Sequence, residues 1–268
     1  MLDKAVILAR GLGTRMRKSD PSAALTAEEA AAADTGVKAM IPIGRPFLDY
    51  VLSALADAGL RRACLVIGPE HRQVRDYYER LDSRRIEVSF AVQAEPKGTA
   101  DAVAAAETFA AGDDVLAINS DNYYPVEAFG ALRALAGPGL AAFTRAGLCR
   151  GNIAPERIAK FALVRTDDDG RLVRIVEKPS DAELAAAREP VCVSMNCWRL
   201  GACIFDACRA IGPSPRGEWE LPDAVAYCLR ERGVTYRAVT VDAPVLDLSQ
   251  RSDLAAVKAA LARVEVRL

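Results

Sequence analysis

A chain of 268 residues, 51% of them hydrophobic and with a formal net charge of -1, can bury a large core and lacks the global basic field of a nucleic-acid binder. No apolar run reaches membrane-spanning length and no basic amphipathic stretch suggests a membrane partner, so with no signal peptide ahead of the first strand a cytoplasmic location is expected. Seven scattered cysteines without a Cys-x-x-Cys pair, and a single histidine, His71, argue against a disulfide framework, a zinc knuckle and histidine-based catalysis.

The first element is a short apolar run, Val6-Ile7-Leu8, with no helical spacing, as expected of a strand buried on both faces of a parallel sheet. The loop after it, Ala9-Arg-Gly-Leu-Gly-Thr-Arg15, carries Gly11 and Gly13, which let the backbone turn sharply and bring bare amides to a ligand. Such amides make a concave anion site, and Arg15 adds a permanently charged fork. Alone, the same letters also describe a tight turn beside a surface arginine. Thr26 and Glu29 then have capping-box spacing, predicting a short helix over 27–33 in a segment that springs from the loop and reads as a lid over it.

Phe47, Tyr50, Val51, Ala54, Leu55 and Ala58 follow helical spacing up to Gly59. Strands are expected over 62–68, 86–92 and 115–119, with helices over 70–81 and 99–109 between them. Strands alternating with helices predict an α/β fold with a doubly wound, mostly parallel sheet, in which ligands bind beyond the carboxyl ends of the strands. The loop at 9–15, the turn Gln93-Ala-Glu-Pro-Lys-Gly-Thr99 and Asp121 all fall at such ends. Further on, strands are expected over 141–144, 161–165, 172–176, 191–198 and 234–241, with a hairpin turn at Asp167-Asp-Asp-Gly170, and helices over 181–188, 200–210, 219–231 and 250–264. The carboxylates and indole of Gly217-Glu-Trp-Glu-Leu-Pro-Asp223 suit a polyol, or equally a helix start beside a core tryptophan.

Five motifs in order, Leu8-Ala-Arg-Gly-Leu-Gly-Thr-Arg15, Lys38-Ala-Met-Ile-Pro-Ile with Pro46-Phe-Leu-Asp-Tyr-Val, Gly98-Thr-Ala-Asp-Ala-Val, Asn119-Ser-Asp-Asn122 and Glu177-Lys-Pro179, give the chain a resemblance to the sugar-nucleotide pyrophosphorylases. The resemblance spans nearly the whole chain. It implies a Rossmann-like, glycosyltransferase-A-like nucleotidyltransferase domain over 1–268, with a nucleotide-binding half at about 1–140, a β-rich sugar-phosphate half at about 141–250 and a C-terminal helix over 250–268. The implied activity condenses an NTP with a sugar 1-phosphate, with Mg2+ as cofactor; members of the family are often homo-oligomers, and this sequence shows no distinctive interface of its own.

Carried onto this sequence, the resemblance places Leu8, Ala9, Gly11, Gly13, Thr14 and Arg15 around the nucleotide, with Arg15 and Lys38 on its phosphates. Gln93, Gly98 and Thr99 would meet the base, and the base itself is left open because an amide is both donor and acceptor. Asp121 and Asp247 would ligate the metal, Glu177 and Asn196 would meet sugar hydroxyls, and Lys178 the sugar phosphate. Read as residues only, the site roles of Lys38, Asp121 and the Glu177–Lys178 pair are preferred over a loop lysine, a helix cap and an exposed pair, Asp247 is the least secure against a turn residue, and Lys97 turns equally to a phosphate or to water. Three departures stand out. Arg10 replaces the small residue usual before the first glycine and must be turned outward or used on a phosphate. The interval from Arg15 to Lys38 is long, and Phe161-Ala162 replaces a glycine beside the sugar, which admits a cyclitol phosphate or another non-standard acceptor. A non-catalytic, nucleotide-sugar-binding regulatory subunit is the alternative outside enzymes. The hexapeptide repeats that extend some members are absent.

Overall fold

The computed structural model describes residues 2–268. Eleven strands are formed: β1 Lys4–Leu8, β2 Arg62–Ile67, β3 Glu87–Val92, β4 Val115–Asn119, β5 Asn122–Tyr123, β6 Gly139–Thr144, β7 Leu163–Thr166, β8 Leu172–Val176, β9 Cys192–Leu200, β10 Arg237–Val241 and β11 Leu246–Asp247. The main sheet runs β10-β6-β9-β4-β1-β2-β3, with the β7–β8 hairpin joined through β9. Pairings among β4, β1, β2 and β3 and between β10 and β6 are parallel, whereas β9 runs antiparallel to β4 and β6. This is the doubly wound, mostly parallel sheet that the alternation of elements predicts.

Successive side chains of a strand point to opposite faces. Val6 therefore joins one core and Ala5 and Ile7 the other, so β1 is apolar on both faces beyond Lys4, whose Nζ donates to the Ala110 carbonyl at 2.7 Å. Helices Phe47–Asp57, Val126–Ala134 and Asp253–Leu261 cover one face through Leu48, Leu52, Phe129, Leu132, Leu254 and Val257. Thr99–Ala105, Cys203–Ala210 and Leu221–Glu231 cover the other through Val103, Ile204, Phe205, Leu221 and Val225. One charged residue lies wholly inside the first layer: Asp49 accepts hydrogen bonds from Tyr77 Oη and Tyr78 Oη and from Arg45 Nε, each at 2.9 Å. Burial, reinforced by the Asp49 charge, pushes the Tyr78 hydroxyl well above its usual range.

Several predicted boundaries shift for local reasons. The helix expected over 99–109 divides into Thr99–Ala105 and Glu107–Ala110, because the Ala106 amide bonds to the Val103 carbonyl in a tightened turn. The C-terminal helix begins at Asp253, whose carboxylate accepts from the Ser249 and Gln250 amides and holds those residues in a turn ahead of it. The strand expected from 234 starts at Arg237, and the helix expected to 188 ends at Ala185.

The predicted capping box is present: Thr26 and Glu29 exchange side-chain bonds with each other's backbone, and the helix runs Ala27–Thr35. The lid reading of this segment is corrected. Lys258 pairs with Glu29, Arg251 pairs with Asp34 and bonds the Met16 carbonyl at 2.9 Å, and Arg17 bonds the Thr35 carbonyl. Gly13 (φ +59°) and Gly36 (φ +72°) lie backbone against backbone, so that a Cβ on Gly13 would stand 2.6 Å from the Gly36 Cα. The insertion is thus clamped to the C-terminal helix and braces the glycine loop from behind; none of its residues lines the cavity in front.

Candidate active site

At the carboxyl ends of β1, β3 and β4 lies a cavity of about 370 Å³, bounded by residues 8–15, Lys38 and Ala39, Gln93, Gly98 and Thr99, residues 119–121, and Glu218. The glycine loop is fixed at both ends: the Ala9 amide bonds the Val66 carbonyl at 2.9 Å, and buried Met16 anchors the turn Thr14–Arg17 that follows. Between them Gly11 faces open space, with nothing within 4 Å of a Cβ placed on it, and Arg15 is exposed at the rim. Bare amides and a free guanidinium therefore border an unfilled hollow, which is the arrangement an anion requires.

Lys38 opens a single 3-10 turn, Lys38–Met40, and its Nζ lies 2.6 Å from Asp121 Oδ2, with the two side chains only 14% and 23% exposed. Asp121 is no helix cap, because Pro125 holds that position ahead of Val126–Ala134. Lys97 turns to the surface and pairs with Glu95 at 3.2 Å.

Gln93 is buried at the end of β3 and donates from Nε2 to the Gly98 carbonyl at 3.0 Å and to Asp101 Oδ2 at 2.7 Å. A carboxylate accepts only, so the amide orientation is fixed and both hydrogens are spent. What Gln93 keeps for a ligand is its carbonyl oxygen, a narrower offer than the donor-and-acceptor edge read from the sequence. The turn is held from outside by residues 218–221: the Ala100 amide bonds the Trp219 carbonyl, the Trp219 amide bonds Lys97, and the Leu221 amide bonds Thr99 Oγ1. Gly98, at φ +123°, permits this approach, since a Cβ there would lie 2.8 Å from the Trp219 nitrogen. The same contact delivers Glu218 to the cavity wall.

Asp247 does not line the cavity, yet it is brought beside Asp121 by the two-residue antiparallel pairing of β11 with β5, in which Asp247 faces Asn122 and the Leu248 amide bonds the Asp121 carbonyl at 2.9 Å. Asn122 Nδ2 donates to it at 3.1 Å and Ser249 Oγ at 2.8 Å, while Arg157 bridges Asp247 and Asp253. Burial and then the Asp121 charge push the Asp247 carboxyl up to about 6. Two carboxylates forced together suit a hard divalent cation. Lys38 engages only Oδ2 of Asp121, leaving Oδ1, whereas Asp247 must give up Ser249 or Arg157 to contribute a ligand. Arg157 and Ser249 are supporting residues that the sequence does not single out, and Asn122 enters there only as the last letter of a motif, without a role.

Glu177 and Lys178 follow β8 and Asn196 lies in β9; all three stand outside the cavity lining. Lys178 (φ +46°) and Asn196 (φ +55°) are two of the three described non-glycine residues with left-handed backbone. Asn196 sits where β9 bulges against β6, between the Leu140 and Ala142 pairings, a device that re-aims a side chain. Burial, then the charge of Glu220, raises the Glu177 carboxyl, whereas against its own burial Glu220 is held below its usual range chiefly by the hydrogen bond from Arg216 and least by the charge of Lys178, which ties this group to the 214–220 loop that carries Glu218.

Comparison with known proteins follows from this geometry. The model of the family described as Nucleotidyl transferase matches residues 4–263. The UTP–glucose-1-phosphate uridylyltransferase AglF of Haloferax volcanii is 26% identical over 93% of this chain and 93% of its own length. The bifunctional protein GlmU of Pelotomaculum thermopropionicum is 30% identical over 97% of this chain, and a glucose-1-phosphate thymidylyltransferase of Streptomyces antibioticus 26% identical over 94%. The chain spans 52% of that GlmU, 64% of the thymidylyltransferase and 57% of a low-salt glycan biosynthesis nucleotidyltransferase of Haloferax volcanii. A crystal structure of UDP-glucose pyrophosphorylase complexed with UDP-glucose superposes with a TM-score of 0.75 at 18% identity, covering 99% of this chain and 100% of that one, which shows a shared fold. Among the described residues no helix is long and apolar enough to cross a membrane.

Proposed function

The chain belongs to the nucleotidyl transferase family, and on that premise we propose that it joins an NTP to a sugar 1-phosphate and releases pyrophosphate. One observation carries this reading: the Lys38–Asp121 pair closes one side of a glycine-loop cavity whose other side ends in Gln93. A phosphate oxygen of the sugar attacks the α-phosphorus in line while the bond to pyrophosphate breaks, so several anionic groups converge on one centre. Such a reaction asks for positioning and charge neutralisation more than for acid-base work, which fits a cavity without histidine.

The amides at 11–13 and Arg15 hold the triphosphate, and Lys38 turns from Asp121 to the reacting phosphate. Gln93 presents its oxygen to the base. Glu177 and Asn196 receive the sugar hydroxyls and Lys178 the sugar phosphate, on the side of the cavity marked by Glu218. Magnesium, which Asp121 and Asp247 would hold, supplies charge neutralisation and orientation of phosphate oxygens when bound. The uridylyl- and thymidylyltransferase relatives support the reaction class and leave base and acceptor open.

The test is pyrophosphate release from ATP, GTP, CTP, UTP and dTTP, each against a panel of sugar 1-phosphates and cyclitol phosphates with magnesium. Release for one pairing, lost in Asp121→Ala, is the expected result. Nucleotide binding with no release from any pairing overturns the reading in favour of a regulatory binding protein.

A further inference from the structure

Arg10 lines the cavity although its side chain is only 8% exposed. It leans away from the glycine loop onto the end of β2, where Gly68 leaves room for it: a Cβ on Gly68 would collide with Arg10 Nε. Its hold there is loose, Nε lying 3.3 Å and Nη2 3.4 Å from the two oxygens of Glu70. Nη1 is buried and has no hydrogen-bond partner. A covered donor on a permanent cation is costly to leave unmade, and small rotations about a long contact are cheap. The guanidinium is therefore seated but not saturated.

Its place in the sheet decides what it serves. In the order β4-β1-β2-β3, Asp121 and Lys38 stand at the end of β4, on one side of the loop after β1, while Gln93 stands at the end of β3 on the other. Arg10, resting against Gly68 and Glu70 beyond β2, is on the Gln93 side. Gln93 has only an acceptor to offer there, because Gly98 and Asp101 take both of its amide hydrogens; Arg10 has only donors.

We propose that Arg10 reads the nucleobase: Nη1 turns from its seat on Glu70 to donate to an acceptor on the base edge, while Gln93 Oε1 accepts from an N–H of the same base. The inference rests on the reading that this cavity holds an NTP, and it assigns to Arg10 a specificity role instead of a phosphate contact.

Calorimetric binding of the five NTPs and of inorganic tripolyphosphate to the full chain, wild type and Arg10→Met, tests it in the absence of any sugar phosphate. The expected result is a loss of tenfold or more for the best-bound NTP, losses differing by tenfold or more between bases, and tripolyphosphate unchanged within twofold. An equal loss across all five NTPs overturns the proposal in favour of a phosphate or ribose contact, and unchanged binding of all five overturns it outright. If Arg10→Met does not fold, Arg10→Lys serves: it keeps the charge and loses the planar donor, so the ranking of bases must still compress, and an unchanged ranking overturns the proposal. Wild-type protein that binds no NTP overturns the nucleotide reading as well, and is distinguished from the other outcomes by needing no variant.

Discussion

Gly13→Ala measures how firmly the insertion braces the glycine loop. A β-carbon at residue 13 would lie 2.6 Å from the Gly36 Cα. Carbon atoms meet comfortably at about 3.5 Å and the Gly36 carbonyl oxygen lies nearer still, so the two backbones must part by at least roughly 0.9 Å. A left-handed backbone adds about 1–2 kcal/mol for any L-residue, and overpacking a fitted contact adds about 1–3 kcal/mol. The variant should lose about 2–5 kcal/mol, a large part of the roughly 5–15 kcal/mol that holds a typical domain. Urea unfolding followed by circular dichroism gives the number, with an unchanged m-value showing that the unfolded state is the same. Gly36→Ala should cost less, because the nearest atoms it meets belong to the flexible end of Arg17. The two changes press on different atoms but both push the backbone at residue 36 off the loop, so the double variant should fall short of their sum. A loss below about 1 kcal/mol in Gly13→Ala would refute the close docking of the insertion on the loop.

Three further outcomes follow from other parts of the molecule. Asp49→Ala leaves the Tyr77 and Tyr78 hydroxyls without their acceptor, at about 1–3 kcal/mol for each that stays buried and unpaired, while the half-exposed Arg45 turns to water; denaturant titration gives the loss, with Asp49→Asn recovering part of it. His71 is the sole histidine, so one imidazole proton signal reports it by NMR. Burial lowers its pKa below the ordinary 6.5, and its Nδ1 accepts the Gly68 amide as a neutral ring. A base with a depressed folded pKa contributes stability above pH 6.5 and loses it as pH falls through the folded value, so Tm should drop on acidification, less in His71→Gln; a midpoint at or above 6.5 would sink this. Lys38→Met should cut turnover about 10²- to 10³-fold, a loss typical of removing one preorganised charge at a reacting centre, with NTP binding weakened far less in calorimetry.

The elements were legible where pattern and chemistry agreed. Val6-Ile7-Leu8, the helical spacing from Phe47 to Ala58 and the capping box at Thr26 are local signals, and each element stands within a few residues of its expected place. The rim formed by the glycine loop, Gln93 and Asp121 was legible too, because parallel α/β topology puts strand ends together, whereas Lys38 leaves no strand and was placed there by the resemblance alone. What sequence could not carry was long-range pairing and saturation. Nothing in Leu246-Asp247 announces a partner in Asn122-Tyr123, since two residues show no period. Nothing in Gln93 announces that Asp101 takes its second hydrogen. The lid reading failed for the same reason: attachment to the loop is visible in sequence, whereas the ion pairs to Arg251 and Lys258 join residues more than 200 apart, with separations of 217 and 229.

The β5–β11 pairing also bears on the order in which the molecule comes into being. Asn122 and Asp247 meet across 125 residues of chain. By the time a ribosome has released β4, the glycine loop, Lys38, Gln93 and Asp121 have all been made, yet Asp247 has still to be translated. A nascent chain at that stage has most of one wall of its cavity and lacks the second carboxylate. On the proposed reading, chemistry that needs both acids is thereby deferred until β11, in the last tenth of these 268 residues, has docked on β5.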